Sequence, residues 1–305
     1  MRAALIREPG AAPELVEDHG EPEGDVVEVT AAPVNPVDLS IASGRFYAGP
    51  PNTPYVPGTE GVGRTEDGRR LWFETGAGYL GDGAMAERAA VRPDAAVELR
   101  DEVSDATAGC LGVAGLAAWV PLAHRARVGE GETVLVLGAT GVVGEIAVQA
   151  AKLLGAGRVI AAGRDPQRLA RVEADERVRL PASADELREA AGGLIDVVID
   201  PLWGEHATTA TEAMNVNGRL VVLGQSAAQQ ATLDAGVVRG KALRILGHSN
   251  ATTPPDVKRD AFGAMCEHAA AGRLKVEYEE LPLDRVAEAW ERQAASPHVK
   301  LILVP

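Results

Sequence analysis

The stretch Thr133–Gly144, TVLVLGATGVVG, constrains this chain more than any other. Thr133–Leu137 is β-branched, apolar on both faces and too short for a helix, which is how a strand inside a parallel sheet reads. Gly138, Ala139, Thr140 and Gly141 follow, and then an apolar-periodic run from Val142 to Leu154 that Gly155 ends. Strand, glycine turn and helix make the first half of a nucleotide-binding βαβ unit. Gly141 lets the backbone approach a pyrophosphate, and Gly144 lets helix and strand pack closely. The helix start, with Val142 and Val143, offers unpaired N–H groups and positive dipole to phosphates. Ala139 stands where the commonest fingerprint has its first glycine, so the match is A-x-G-x-x-G. A glycine triplet alone reads equally well as a tight turn. The flanking strand and helix, with a second strand at Arg158–Ala162, select dinucleotide binding.

At 305 residues the chain is expected to form two domains, and 46% hydrophobic residues suffice for full cores. A net charge of −14 argues against a nucleic-acid backbone or an anionic membrane surface as partner. No run approaches the roughly 20 apolar residues of a transmembrane span, and Met1–Leu5 leads straight into charge. A cytoplasmic location is therefore expected. Cys110 and Cys266 are far apart in sequence and fit free thiols in a reducing compartment, with pairing left open.

Residues 1–100 read as β-rich, with short strands at Ala3–Ile6, Asp25–Ala32, Gly61–Arg64, Arg70–Phe73 and Ala84–Val91. Gly44–Gly58 carries four prolines and two tyrosines and fits a semi-rigid surface loop, either a connection or a pocket wall. A helical segment, Ser104–His124, leads into strict alternation. Strands are expected at Thr133–Leu137, Arg158–Ala162, Arg177–Leu180, Ile195–Asp200, Arg219–Leu223 and Leu243–Leu246. Helices are expected at Val142–Leu154, Pro166–Ala174, Ala184–Ala191 and Glu205–Asn215. That is an α/β, doubly wound parallel sheet. A helix at Pro255–Ala271, a strand at Lys275–Glu279, a helix at Asp284–Ala295 and a strand at Val299–Val304 follow. The last strands resemble the first region, so residues 1–118 and 256–305 are expected to form one domain with residues 119–255 inserted in it.

The landmarks Asn35-Pro36-Val37-Asp38, Pro57–Gly63 (PGTEGVG), Gly83–Glu87 (GAMAE), Ala139–Gly144, Asp196–Asp200 (DVVID), Gly218–Gly224 (GRLVVLG) and Lys300–Leu303 occur in order along the chain. Together they resemble the medium-chain dehydrogenase/reductase superfamily, in its zinc-independent quinone oxidoreductase (zeta-crystallin-like) branch. The resemblance implies a Rossmann NADPH-binding domain inserted into a GroES-like catalytic domain. Zinc-dependent relatives place a Cys near Asn35 and a His at Thr59, and neither is present. Two scattered cysteines cannot supply a zinc site. His19, His124, His206, His248, His268 and His298 show no ligand spacing, so no metal is expected. The chain departs from the family in its short Gly63–Gly83 segment, in Ala117, and in Phe46-Tyr47 where relatives carry a tyrosine one place earlier.

Cofactor choice turns on the end of the second strand, where NAD-binding relatives carry an acid on the ribose. Here stand Gly163, Arg164, Asp165 and Arg168. With no carboxylate at Gly163, a 2′-phosphate is not repelled, and Arg164 can grip it as a fork, with Arg168 as a second cation. Asp165 could pair with either arginine. NADPH is the expected cofactor. By resemblance, Gly224, Gln225, Gly247, His248 and Ser249 line the nicotinamide side.

Asn35 and Tyr47 are the candidate catalytic residues, Asn35 to orient substrate or nicotinamide and Tyr47 to bond the acceptor's oxygen, while Asp38 buttresses the loop. Three functions compete. The first is an NADPH-dependent reductase of quinones or α,β-unsaturated carbonyls. The second is an enoyl-thioester reductase acting on acyl-CoA or carrier-protein substrates, which a basic patch near the cleft would favour. The third is a non-catalytic NADPH-binding protein. Family precedent implies a homodimer joined at the edge strand Ala242–Leu246.

Overall fold

Short strands punctuated by Gly, Pro and Asp make the first part of the chain a β structure. The computed structural model describes all 305 residues, Met1–Pro305. They divide into two units, Met1–Ala114 with Phe262–Pro305, and Gly115–Ala261. In the first unit β1 (Ala3–Leu5) and β2 (Glu14–Val16) form an antiparallel ribbon. β3 (Val26–Pro33) leads to α1 (Pro36–Ala42), where Pro36 occupies the first helical position and lacks the N–H that would be orphaned there. β4 (Glu60–Arg64), β5 (Arg70–Glu74), β6 (Arg88–Ala90), β7 (Ala96–Glu98) and α2 (Asp105–Leu111) follow. The segment expected to be one strand at Ala84–Val91 pairs with β3 only over its last part, Arg88–Ala90.

The helical segment expected at Ser104–His124 is broken at Gly112, where the chain bends by 44°. α3 (Val113–Val120) continues into a π-helical turn, Pro121–Ala126. No single helix is long and apolar enough to cross a membrane. In the second unit β8 (Thr133–Leu137), α4 (Val142–Leu153), β9 (Arg158–Gly163), α5 (Pro166–Leu169), β10 (Glu176–Arg179), α6 (Ala184–Ala191), β11 (Ile195–Asp200), α7 (Glu205–Ala213), β12 (Met214–Val222), α8 (Ala235–Gly240) and β13 (Arg244–Gly247) alternate. All the ladders are parallel, in the order β10-β9-β8-β11-β12-β13. The order reverses between β8 and β11, so the carboxyl ends of these two strands diverge to open a crevice. Val134–Leu137 and Val159–Ala162 are fully buried, as strands covered by helices on both faces must be.

Two expected elements differ in extent. α5 stops at Leu169 rather than Ala174, because the chain turns at once: Arg171 and Val172 N–H bond to Arg168 and Leu169 carbonyls, three residues back. β12 begins at Met214, and its register against β11 shifts between Ile195 and Val197, where Asn217 takes φ 60°.

α9 (Pro255–Ala270) returns the chain to the first unit, followed by β14 (Tyr278–Pro282), α10 (Val286–Ala294) and β15 (Lys300–Val304). β14 lies three residues beyond the strand expected at Lys275–Glu279 and pairs in parallel with β15. β15 pairs antiparallel with β3, completing the order β14-β15-β3-β4-β5-β7, with β6 also on β3. Val27, Ile6, Tyr55, Met85, Phe73, Leu301 and Leu303 form one core on this unit's sheet, and Trp72 stacks on Phe262 of α9 at 4.6 Å.

Candidate functional site

Every expected cofactor residue lies at the carboxyl edge of the parallel sheet. Ala139 is buried, and its N–H bonds to Ala162 O at 2.9 Å, tying the glycine turn to β9. Gly141 is the N-cap of α4 and provides no side-chain cap, so the first-turn amides of Val142 and Val143 are not closed off by a side chain. A Cβ on Gly144 would sit 2.3 Å from Gly138 O and 2.6 Å from Ala139 Cα, so only glycine lets α4 pack this closely on the turn. A Cβ on Gly141 would meet nothing nearer than Gly138 O at 3.6 Å. The space above Gly141 is thus left clear by the chain itself. An uncapped helix start under open backbone fits a diphosphate.

At the end of β9, Arg164 is exposed and has no carboxylate partner, whereas Arg168 Nε lies 3.6 Å from Asp165 Oδ2. Asp165 caps α5, accepting the N–H groups of Gln167 and Arg168 at 2.8 and 3.2 Å. The acid that could have paired with either arginine therefore serves the helix and Arg168. A Cβ on Gly163 would touch Thr140 Cγ2 at 2.9 Å, which brings the two phosphate-side candidates together. Gly224 packs on Pro201, where a Cβ would lie 2.7 Å from the carbonyl, and Gln225 Nε2 bonds to Gln229 Oε1 at 3.4 Å. Gly247 ends β13. His248 N–H bonds to Val222 O at 2.8 Å, which carries the ladder one step further, and Ser249 Oγ accepts Ala251 N–H at 3.3 Å. Burial lowers the His248 pKa to about 4, and Arg125, His124 and Lys258 act in the same direction, so its imidazole is neutral at pH 7.

Asp200, which sequence reasoning placed in a strand and gave no role, is 0% exposed at the crevice end of β11. Its Oδ1 accepts the N–H groups of Leu202 and Trp203, both at 2.8 Å, while Oδ2 is buried without a partner. Burial pushes this carboxyl above its ordinary value, against the pull of the two N–H groups and of His206.

In the first unit the candidate catalytic residues have unlike surroundings. Asn35 is 1% exposed. Its Nδ2 donates to Glu60 Oε1 at 2.8 Å, and its Oδ1 accepts Lys300 Nζ at 2.5 Å. Glu60, 0% exposed, also accepts Trp72 Nε1 at 2.9 Å and Val113 N–H at 2.7 Å. Asn35 thus links β15, β4 and the start of α3 through a buried Lys300–Asn35–Glu60 chain, which no local pattern reveals because its members are far apart in sequence. Asp38 accepts Asn35 N–H and Thr59 N–H at 2.7 and 2.8 Å, buttressing this loop. Burial raises its carboxyl to about 6, with the two N–H groups and Lys300 opposing. Tyr47 is 69% exposed, its ring 4.0 Å from that of Phe46. Phe46 in turn faces Tyr79 at 6.2 Å, and Tyr79 Oη donates to Gly49 O at 2.7 Å, which pins the proline-rich loop to the shortened Gly63–Gly83 segment. The Tyr47 ring is thus exposed, while the Asn35 side chain is taken up by its neighbours.

No three His, Cys, Asp or Glu side chains come together as a metal-ligand set. Cys110 and Cys266 are free, and burial pushes both thiols up to about 12.

Residues 142–265 match a family model described as zinc-binding dehydrogenase. The chain is 32% identical to one subunit of the phenolphthiocerol/phthiocerol polyketide synthase of Mycobacterium tuberculosis over 93% of its own length, and it spans 14% of that relative. It is 27% identical to quinone oxidoreductase of Mus musculus, across 87% of this chain and 84% of the relative. The structure of a quinone oxidoreductase from Thermus thermophilus, described alone and with NADPH, superposes over 100% of both chains at 27% identity and a TM-score of 0.86. The chain belongs to the medium-chain dehydrogenase/reductase superfamily, in its quinone oxidoreductase branch.

Proposed function

We propose that this protein binds NADPH at the carboxyl edge of its parallel sheet and reduces an electron-poor acceptor, a quinone or an α,β-unsaturated carbonyl. The observation that carries the reading is the start of α4, where the Val142 and Val143 amides lie beneath open backbone at Gly141 and have no side-chain cap. These amides hold the diphosphate, and the helix dipole adds to their attraction. Arg164, without a carboxylate partner, grips the 2′-phosphate as a fork, while Arg168 adds charge although Asp165 already engages it. The Thermus thermophilus relative described with NADPH supports this choice of cofactor.

Bound there, NADPH supplies a hydride. The chain's own residues position the acceptor: Tyr47 donates a hydrogen bond to the oxygen on which charge accumulates, and Gly224, Gln225, Gly247, His248 and Ser249 line the reacting side. Asn35 acts as a positioning residue, since its amide holds Lys300 and Glu60 in place. The reaction needs no zinc. The protein works as a homodimer through its edge strand β13, in the cytoplasm.

A second reading, reduction of an enoyl thioester, is favoured by the 32% identity to the polyketide synthase. Steady-state loss of NADPH absorbance with 9,10-phenanthrenequinone, 2-cyclohexen-1-one and crotonyl-CoA separates the two. Turnover of the quinone or the enone supports the first, turnover of crotonyl-CoA alone the second. Tight NADPH binding without turnover of any acceptor would leave a non-catalytic binding protein.

A further inference from the structure

Two loops of the first unit, one after α1 and one after β5, are clasped side by side. Asn52 N–H donates to Gly78 O at 2.7 Å, Asn52 Nδ2 to Tyr79 O at 3.4 Å, and Tyr79 Oη to Gly49 O at 2.7 Å. Gly78 takes φ 79°, and a Cβ there would stand 2.8 Å from Pro51 Cβ, so glycine is what lets the loops come this close. In the first loop Gly49 N–H bonds to Phe46 O at 2.9 Å, which closes a turn with Tyr47 inside it. The carbonyl that Tyr79 grips thus ends the turn that carries Tyr47. The Phe46 ring fills the space between, 4.0 Å from the Tyr47 ring and 6.2 Å from that of Tyr79. Phe46 and Tyr79 both pack against the core of the unit, and of the three rings only Tyr47 is exposed. Burial raises the pKa of the Tyr79 phenol and Tyr47 adds to the rise, so Tyr79 stays a donor at neutral pH.

We propose that Tyr79 is a positioning residue for the acceptor: by holding Gly49 O and backing the Phe46 ring, it fixes the turn that presents Tyr47 and touches no reactant itself. The proposal rests on the reading that Tyr47 meets the acceptor. A short surface turn has no core of its own to order it, so a hydrogen bond from a neighbouring loop decides how much of the time it holds one arrangement. The apparent affinity for the acceptor scales with that fraction. The net worth of one such bond corresponds to roughly a two- to tenfold change in it. The loss falls on acceptor binding and not on the step that follows it.

Tyr79→Phe keeps the ring and removes only the hydroxyl, so it isolates the clasp. In steady-state kinetics with 9,10-phenanthrenequinone and 2-cyclohexen-1-one, its KM for the acceptor should rise roughly two- to tenfold. Its kcat, its KM for NADPH and its unfolding temperature should stay at the natural values, a split that a merely structural role does not produce. Tyr79→Ala, which also removes the ring behind Phe46, should raise the acceptor KM further. Tyr278→Phe, which removes a phenol from β14 in the same unit, should change nothing. Hydrogen exchange without acceptor follows the clasp itself: amides of residues 46–49 should exchange faster in Tyr79→Phe, and those of β3 and β4 should not. Unchanged exchange at residues 46–49, or faster exchange with an unchanged acceptor KM, would overturn the proposal. Tyr47→Ala keeps its failure apart from that of the reading beneath it. If Tyr47→Ala leaves acceptor kinetics untouched, Tyr47 does not meet the acceptor and the role of Tyr79 in binding falls with it; if Tyr47→Ala raises the acceptor KM and Tyr79→Phe does not, the proposal alone fails.

Discussion

Arg164 and Arg168 stand one turn apart at the end of β9, and only the second has an acidic partner. The difference sets what each contributes. Arg164→Ala should weaken NADPH binding by roughly 10- to 100-fold, the loss of about 1.5–3 kcal/mol for hydrogen bonds to a charged group, and should leave NADH binding unchanged. Titration calorimetry with both cofactors measures it. Asp38 offers a second test. Its buried carboxyl is raised to about 6 from 3.8, so the folded state binds the proton more tightly than the unfolded chain. The stabilisation from that proton is full below pH 4 and is lost as pH rises through 6, a swing of about 3 kcal/mol. The stability of the natural protein relative to Asp38→Asn, from urea unfolding, should therefore be greater at pH 4 than at pH 7. A difference independent of pH would show that Asp38 has an ordinary pKa.

At the scale of elements, the turn between β8 and α4 separates a packing glycine from a binding glycine. Gly144→Ala forces a methyl to within 2.3 Å of a backbone oxygen and should destabilise the protein by about 1–3 kcal/mol or more. Gly141→Ala meets no such obstacle and should unfold at nearly the natural temperature, yet lose roughly tenfold or more in NADPH affinity. Thermal unfolding and fluorescence titration of the two variants check the contrast, and equal effects on stability would contradict it. The Lys300–Asn35–Glu60 chain joins β15 to β4 and to the Val113 N–H, all in the first unit. Removing one partner by Lys300→Met should cost about 3–5 kcal/mol, because Glu60 is left as a buried charge, and adding Glu60→Gln should recover part of the loss.

These elements also mark how far the sequence could be read. β8, β9 and β11 were legible because strands buried on both faces have no other reading. The glycine turn followed from its place between a strand and a helix. α5 was overextended because Arg171–Ala174 keep an apolar rhythm while the backbone already turns. α8 was missed because AGVVRG is short and rich in residues that favour no helix. The role of Asn35 was illegible for a different reason. Its partners Glu60 and Lys300 lie 25 and 265 residues away, and only the folded sheet brings them together.

At the scale of the whole molecule, a parallel sheet occupies the middle of the sequence, and the C-terminal strands join the same sheet as the N-terminal ones. One consequence is a division of labour along the chain. The residues proposed to hold an anionic cofactor belong to Gly115–Ala261, and the exposed aromatic Tyr47 belongs to the other unit. With a net charge of −14, the molecule as a whole repels an anion, and only local amides and guanidinium groups reverse that. Binding of NADPH should accordingly depend on a few groups and not on overall attraction. Titration calorimetry of the natural protein with NADPH and with NADH tests this most directly. The account predicts one NADPH per chain, bound at least about tenfold more tightly than NADH. No heat with either nucleotide, or a preference for NADH, would contradict it.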